Sequence, residues 1–348
     1  MQQQDRASAG RYANGGHGNL RQIFPGDGRI YAVTDDEWVG IAAGYYGLEH
    51  VPLAEVETIP PGANVVLFLR HSLVSVKLRR MFREFRVLTV PIASFDASLE
   101  AALYTQKLTM ATDYATACQN SRYWIEKLQE QAGRLVFHDG VLDEGGDEPG
   151  RAGTANRKPG QQRTHIVCSL ADSMSIDALP EPAIDVGQWV GVGSYCELAL
   201  NNRPLSGRPS PFTIEGTVVA AGALVARHPR FTQQGDARIR AAERLRAELV
   251  ERAPLVLRME ANVLTSLQAG GKDFTEALRE VTNPELGLQA MELGIGTNQA
   301  VLPQVNWKVN SQLNEGAGPL HIGFGEGITG AHMDFVVAQS THIFQPAG

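Results

Sequence analysis

The sequence predicts an α/β protein: an N-terminal α/β sheet domain followed by a strand-rich α+β domain. Three observations carry this. A chain of 348 residues exceeds what one small core needs, so two domains are the default. Strand-like and helix-like segments alternate through residues 29–138, the rhythm of a partly parallel sheet covered by helices. After residue 164, short β-like runs dominate.

Taken in order, residues 1–28 are polar and glycine-rich and predict a flexible start. RIYAVT, VGIAAGYYGL and NVVLFL then open the alternation. LVSVKLRRMFREF has apolar residues at helical spacing, RVLTVPI reads as a strand, Ser98 to about Glu130 as a long helical region, and RLVFH as the closing strand of that sheet. Residues 139–163 have no apolar periodicity, many glycines and an acidic half followed by a basic one, which predicts an exposed linker or loop. In the second domain, residues 164–348, the expected strands are THIVCSLA, WVGVGSY, TIEGTVVAAGALVA and APLVLRMEANVL. GDARIRAAERLRAELVERA and KDFTEALREV read as helices, and the turn NPELG leads into QAMELGIGTN.

Composition narrows the function classes. With 43% apolar and 20% charged residues and a formal charge of -7, the chain lacks the basic footprint of a nucleic-acid binder. No segment has the length of a membrane helix and the N-terminus has no signal-peptide core, so a cytoplasmic protein is expected. Cys118, Cys168 and Cys196 are widely spaced with no CxxC pair and read as buried apolar fillers.

The chemistry is concentrated near the C-terminus. Glu292 opens the third position of AMELGIGTN, His321 begins HIGFG, and His332 and Asp334 belong to AHMDF. On a strand, His332 and Asp334 project to one face while Met333 packs behind. Two imidazoles with two carboxylates form a nitrogen and oxygen set suited to zinc, iron(II), manganese or cobalt. Four such ligands suggest one divalent ion, zinc or iron(II) first. Glu315 and Glu326 are the carboxylates placed to act as a base beside it. The other histidines, His17, His50, His71, His138, His165, His228 and His342, have no assigned role. The glycines of GIGTN and GFGEG match no complete dinucleotide fingerprint and are expected in tight turns.

MELGIGTN, NSQLNEGAGPLHIGFG and AHMDFVV, in this order, resemble the C-terminal metal-binding domain of the aminopeptidase T-like metallopeptidases. That resemblance covers residues 165–345 and implies that Glu292, His321, His332 and Asp334 are metal ligands. The family has a further ligand glutamate in a GEVFT-like segment; here that region reads SGRPSPFTIEGTVV, with Arg208 or its neighbours at the acidic position and Glu215 the nearest carboxylate. The family's catalytic tyrosine after the HIxxG motif has no counterpart between His321 and His332.

These features imply a peptide-binding metalloprotein that acts on or presents a peptide. A precursor peptide of a ribosomal natural-product pathway and the pathway's enzymes are the expected partners, and the family suggests a homodimer. Three other readings stay open: an active metal-dependent aminopeptidase, a mononuclear iron(II) ring-cleaving dioxygenase, and a metal-free peptide-binding scaffold.

Overall fold

The computed structural model describes residues 18–130, 133–139, 162–171, 174–179, 181–203, 206–207, 209–231 and 235–346. The expectations for residues 1–17, for most of the linker at 140–161 and for Arg208 fall outside these residues.

Three sheets organise the chain. The first is parallel and contains β1 (Ile30–Thr34), β2 (Glu49–Pro52), β3 (Asn64–Phe68), β4 (Arg86–Val90) and, much later in sequence, β8 (Trp189–Gly191). Their order is β2-β1-β3-β4-β8. The second sheet, antiparallel, contains β5 (Gly133–His138), β6 (His165–Leu170), β10 (Phe212–Ala220), β12 (Leu255–Glu260), β13 (Val263–Ala269), β14 (Lys272–Asp273) and β18 (Thr341–Pro346). The third is also antiparallel and contains β7 (Ile176–Asp177), β9 (Glu197–Asn201), β11 (Gly222–Ala226), β15 (Ala290–Gly296), β16 (Leu320–Phe324) and β17 (His332–Val337). Its order, β11-β17-β16-β15-β9-β7, brings the motif-bearing strands side by side.

The predicted α/β pattern is therefore present, and its local causes are visible. β3 is apolar and buried at every position after Asn64, as expected for a parallel strand covered on both faces. Its alternate residues feed two cores: Val66 and Phe68 pack on one face, Val65 and Leu67 on the other. Helices Glu37–Gly44, Val76–Met81 and Leu99–Ala111 start where Asp36, Ser75 and Ser98 accept hydrogen bonds from the backbone N–H three residues on. A third core fills the space between the two antiparallel sheets, joining Leu198 and Leu293 to Leu257 and Phe137.

Several elements differ from the sequence expectation, each for a physical reason. Residues 20–24 are not a flexible start, because Leu20, Ile23 and Phe24 are completely buried. The helical stretch from Ser98 breaks after Ala111, where Thr112 turns to extended backbone, and resumes as Tyr114–Glu130. RLVFH leaves the parallel sheet and pairs with β6 and β18. WVGVGSY is a strand only over Trp189–Gly191, then a short helix, and it joins the parallel sheet through β4. TIEGTVVAAGALVA is cut at Ala221, so β10 and β11 belong to different sheets. Periodicity reports burial, and it is blind to which sheet does the burying.

The glycines also divide. Gly325 and Gly327 have φ of 80° and 71° and turn the chain as expected. Gly294 and Gly296 lie within β15 and serve close approach instead. A methyl on Gly296 would overlap the Gly318 carbonyl and lie 2.6 Å from that of Gly316, and both are backbone atoms. Gly296→Ala is expected to destabilise the fold by about 3 kcal/mol, the upper end of overpacking costs. Urea unfolding would check this, a loss below about 1 kcal/mol showing that the 316–318 turn moves freely.

Candidate metal centre

The register of the third sheet builds the site. Glu292 stands opposite Gly323, and Gly323 opposite Asp334, so one row across three strands reads carboxylate, glycine, carboxylate. In the next row Gly294 faces His321. Side-chain alternation then puts Glu292 and Gly294, His321 and Gly323, and His332 and Asp334 on one face of the sheet. Met333 is buried behind them, as its position between the last pair requires. A methyl on Gly323 would sit 2.6 Å from Asp334 Oδ1 and 2.7 Å from the His332 ring, so glycine keeps the face open for the charged groups.

All four residues named from the motifs converge. His321 Nε2 lies 3.3 Å from Glu292 Oε1, and His332 Nε2 lies 3.7 Å from Glu292 Oε2 and 2.9 Å from Asp334 Oδ1. His332 Nδ1 is 2.7 Å from the Gly325 carbonyl, which fixes its tautomer by accepting the Nδ1 proton and leaves Nε2 facing the cluster.

Two further carboxylates join them. Glu197 begins β9, with Oε2 3.8 Å from His321 Nε2. Glu315 ends the short helix Gln312–Glu315 and is 5% exposed. Ligand atoms of Glu197, Glu315 and His321 fall within 4.8 Å of one another, as do those of Glu315, His332 and Asp334. The sequence reading missed Glu197. Its only signal was a lone acid in the apolar run YCELAL. Glu215, the nearest carboxylate in the segment SGRPSPFTIEGTVV, is exposed on β10, paired with Val167, and is not part of the centre. Glu326 stands at the rim, where its Oε1 accepts hydrogen bonds from the Thr329 N–H and hydroxyl.

The electrostatics follow from crowding acids in a dry place. Burial lifts the Glu197 carboxyl to about 8, with Glu292 and Asp334 adding to the lift and His321 opposing it. Burial, then the charges of Glu197 and Asp334, hold the Glu315 carboxyl well above the ordinary range. For the histidines, burial works downward but is outweighed. The Glu292 hydrogen bond and the charges of Glu197 and Asp334 lift His321 to about 9, and Asp334 and Glu292 lift His332 to about 10. Asp334 goes the other way: burial would raise it, yet His332 brings it to about 2.

A divalent cation fits this donor set. Both oxygens of Asp334 and Oε2 of Glu197 are buried without a well-aligned hydrogen bond, even with His332 Nε2 2.9 Å from Asp334 Oδ1, so their lone pairs remain free for a cation. Glu197, Glu292, Glu315 and His332 also line a cleft of about 1090 Å³, which Thr89, Trp189 and Gly191 of the parallel sheet line as well. The centre is thus reachable by a ligand from one side. His228, given no role from sequence, lines the same cleft.

Fold and site together define an α/β protein with an acidic, histidine-containing centre at the floor of a cleft. The profile of the family Crocagin biosynthetic protein CgnE/B matches residues 27–345, and the chain belongs to that family. No curated protein matches the sequence. Among solved structures, wild-type AmpT from Thermus thermophilus is similar at 12% identity, with a TM-score of 0.44 over 97% of this chain and 94% of that one. No helix among the described residues is long and apolar enough to cross a membrane.

Proposed function

We propose that the chain is a peptide-binding metalloprotein of a peptide natural-product pathway. It holds divalent metal at the floor of its cleft and receives or presents a peptide there, alongside the pathway's enzymes. Membership of a biosynthetic family supports the pathway. The observation that carries the metal is the convergence of Glu197, Glu292, Glu315, His321, His332 and Asp334 on one open face. The four ligands legible in the sequence supported one ion. Glu197 and Glu315 extend the reading to two adjacent positions, because the ligand atoms fall into two groups, Glu197, Glu315 and His321, and Glu315, His332 and Asp334, that share Glu315.

Zinc or iron(II) suits the mixed nitrogen and oxygen donors, and when bound supplies Lewis acidity towards a carbonyl oxygen in the cleft. The protein's own part is to hold the ligands on four strands and a short helix and to keep one side open. Glu315, buried and proton-holding, is a ligand in this reading rather than the free base suggested by its place in sequence.

Metal analysis after reconstitution with zinc, manganese or iron(II) tests the proposal. At least one equivalent is expected in the wild type, with Asp334→Ala losing half of it or more. An equal metal content in both would remove Asp334 from the ligand set, and no uptake by the wild type would leave a metal-free scaffold.

A further inference from the structure

β8 is the last strand of the parallel sheet, and no described strand pairs with its outer side. The pairing with β4 shows which backbone groups are left over. Val87 N–H donates to the Gln188 carbonyl and Val192 N–H to that of Thr89. With Val87 opposite Trp189 and Thr89 opposite Gly191, this parallel register uses Val190 and its flanks, so the N–H and C=O of Trp189 and Gly191 point away from the sheet. An edge of this kind is a template for another strand. Trp189, Val190 and Gly191 all line the cleft that reaches Glu197 and Glu292.

Besides the acids of the centre and Asp177 and Glu326, the cleft lining carries four arginines, of which Arg227 is paired with Glu243. Arg79, Arg203 and Arg230 line the cleft with no carboxylate at ion-pair distance among the described residues. Arg79 lies over the Trp189 ring, 5.6 Å from its centroid.

The geometry points to the outer edge of β8 as a strand-addition site for an extended, acidic peptide segment. This rests on the peptide-binding reading above and specifies how that peptide is held. Its backbone bonds to Trp189 and Gly191, its acidic side chains face the arginines, and the chain continues from Gly191 past Ser194 towards Glu197.

Gly191 offers a clean test. Its N–H is unused within the sheet, and a Cβ there meets nothing closer than Ser194 Oγ at 3.9 Å. Alanine therefore fits, while proline removes one of the two donors that an added strand uses and is tolerated on an edge. The probes are fluorescein-labelled, amide-capped hexapeptide pools of Val and Thr carrying two Asp or Glu residues, and the same pools carrying two Lys residues. Polarisation titrations would use the wild type, Gly191→Ala, Gly191→Pro and Asp334→Ala. The acidic pool is expected to bind the wild type at least tenfold more tightly than the lysine pool. Gly191→Ala should stay within twofold, and Gly191→Pro should weaken binding at least tenfold. In the wild type, hydrogen exchange at the Trp189 and Gly191 amides should slow at least tenfold on saturation with the acidic pool, a readout that does not depend on any variant folding. Unchanged binding by Gly191→Pro, or unslowed amides, overturns strand addition. If Asp334→Ala alone then abolishes binding, the peptide reading stands without it. Equal binding of the two pools overturns the acidic assignment, and no binding of either pool by the wild type overturns the peptide reading itself.

Discussion

Zinc affinity is expected to rise about a hundredfold for each pH unit between pH 6 and pH 8. In the metal-free protein each metal position contains one histidine that holds its proton, His321 up to about 9 and His332 up to about 10. The shared Glu315 carboxyl holds another well above the ordinary range, so the first zinc displaces two. A histidine must give up a proton to bind metal, and each displaced proton makes affinity rise tenfold per pH unit below the group's pKa. The sign is fixed: the raised values mean the metal-free form binds more protons than the loaded form, so acid favours metal release. Glu197, lifted to about 8, steepens the dependence, whereas Asp334, already ionised above about 2, adds nothing in this window. Calorimetry at pH 7 in buffers of different ionisation heat counts the protons directly. Two or more should be released per zinc bound. Histidines with ordinary values would release about half a proton between them, and that result would mean the carboxylates around them do not act as described.

How much of this was legible beforehand depends on what kind of information each residue carries. Glu292, His321, His332 and Asp334 were readable because they stand in short motifs on strands, where a period of two states which side chains share a face. Glu197 was not, because nothing local to YCELAL says that β9 will pair with β15 and place Gly296 opposite it. Glu315 was visible as an acid near the motifs, but its role depends on a helix that buries it between the third sheet and the core under Leu313 and Ala317. The α/β pattern of the first sheet followed from alternation in the chain. The return of Trp189–Gly191 to that sheet did not, since a crossover of about a hundred residues leaves no periodic trace. That return also places the parallel sheet's open edge on the wall of the cleft that Glu197 and Glu292 line. Local pattern thus specified most of the strands and four of the six proposed ligands, and strand pairing specified the site.

Gly294→Ala is expected to abolish high-affinity metal binding without touching a ligand. Gly294 stands opposite His321, and a methyl there would overlap Nε2, Cε1 and Cδ2 of the imidazole. That ring is fully buried, so it cannot swing into solvent to make room. Either it leaves its rotamer or β15 separates from β16, and both outcomes move Nε2 away from Glu197 and Glu292. Affinity for zinc should fall more than about a hundredfold, beyond the usual effect of disturbing a group outside the ligand set, and stability by about 1–3 kcal/mol from overpacking. The double variant Gly294→Ala/His321→Ala separates the two effects. Truncating the imidazole vacates the volume that the methyl needs, so the stability losses should couple by about 1 kcal/mol or more in the favourable direction. Metal affinity, by contrast, should stay low in all three variants. Full zinc affinity in Gly294→Ala would show that His321 binds from another rotamer or is no ligand. Metal affinity restored together with stability in the double variant would assign the loss to the fold and not to the imidazole.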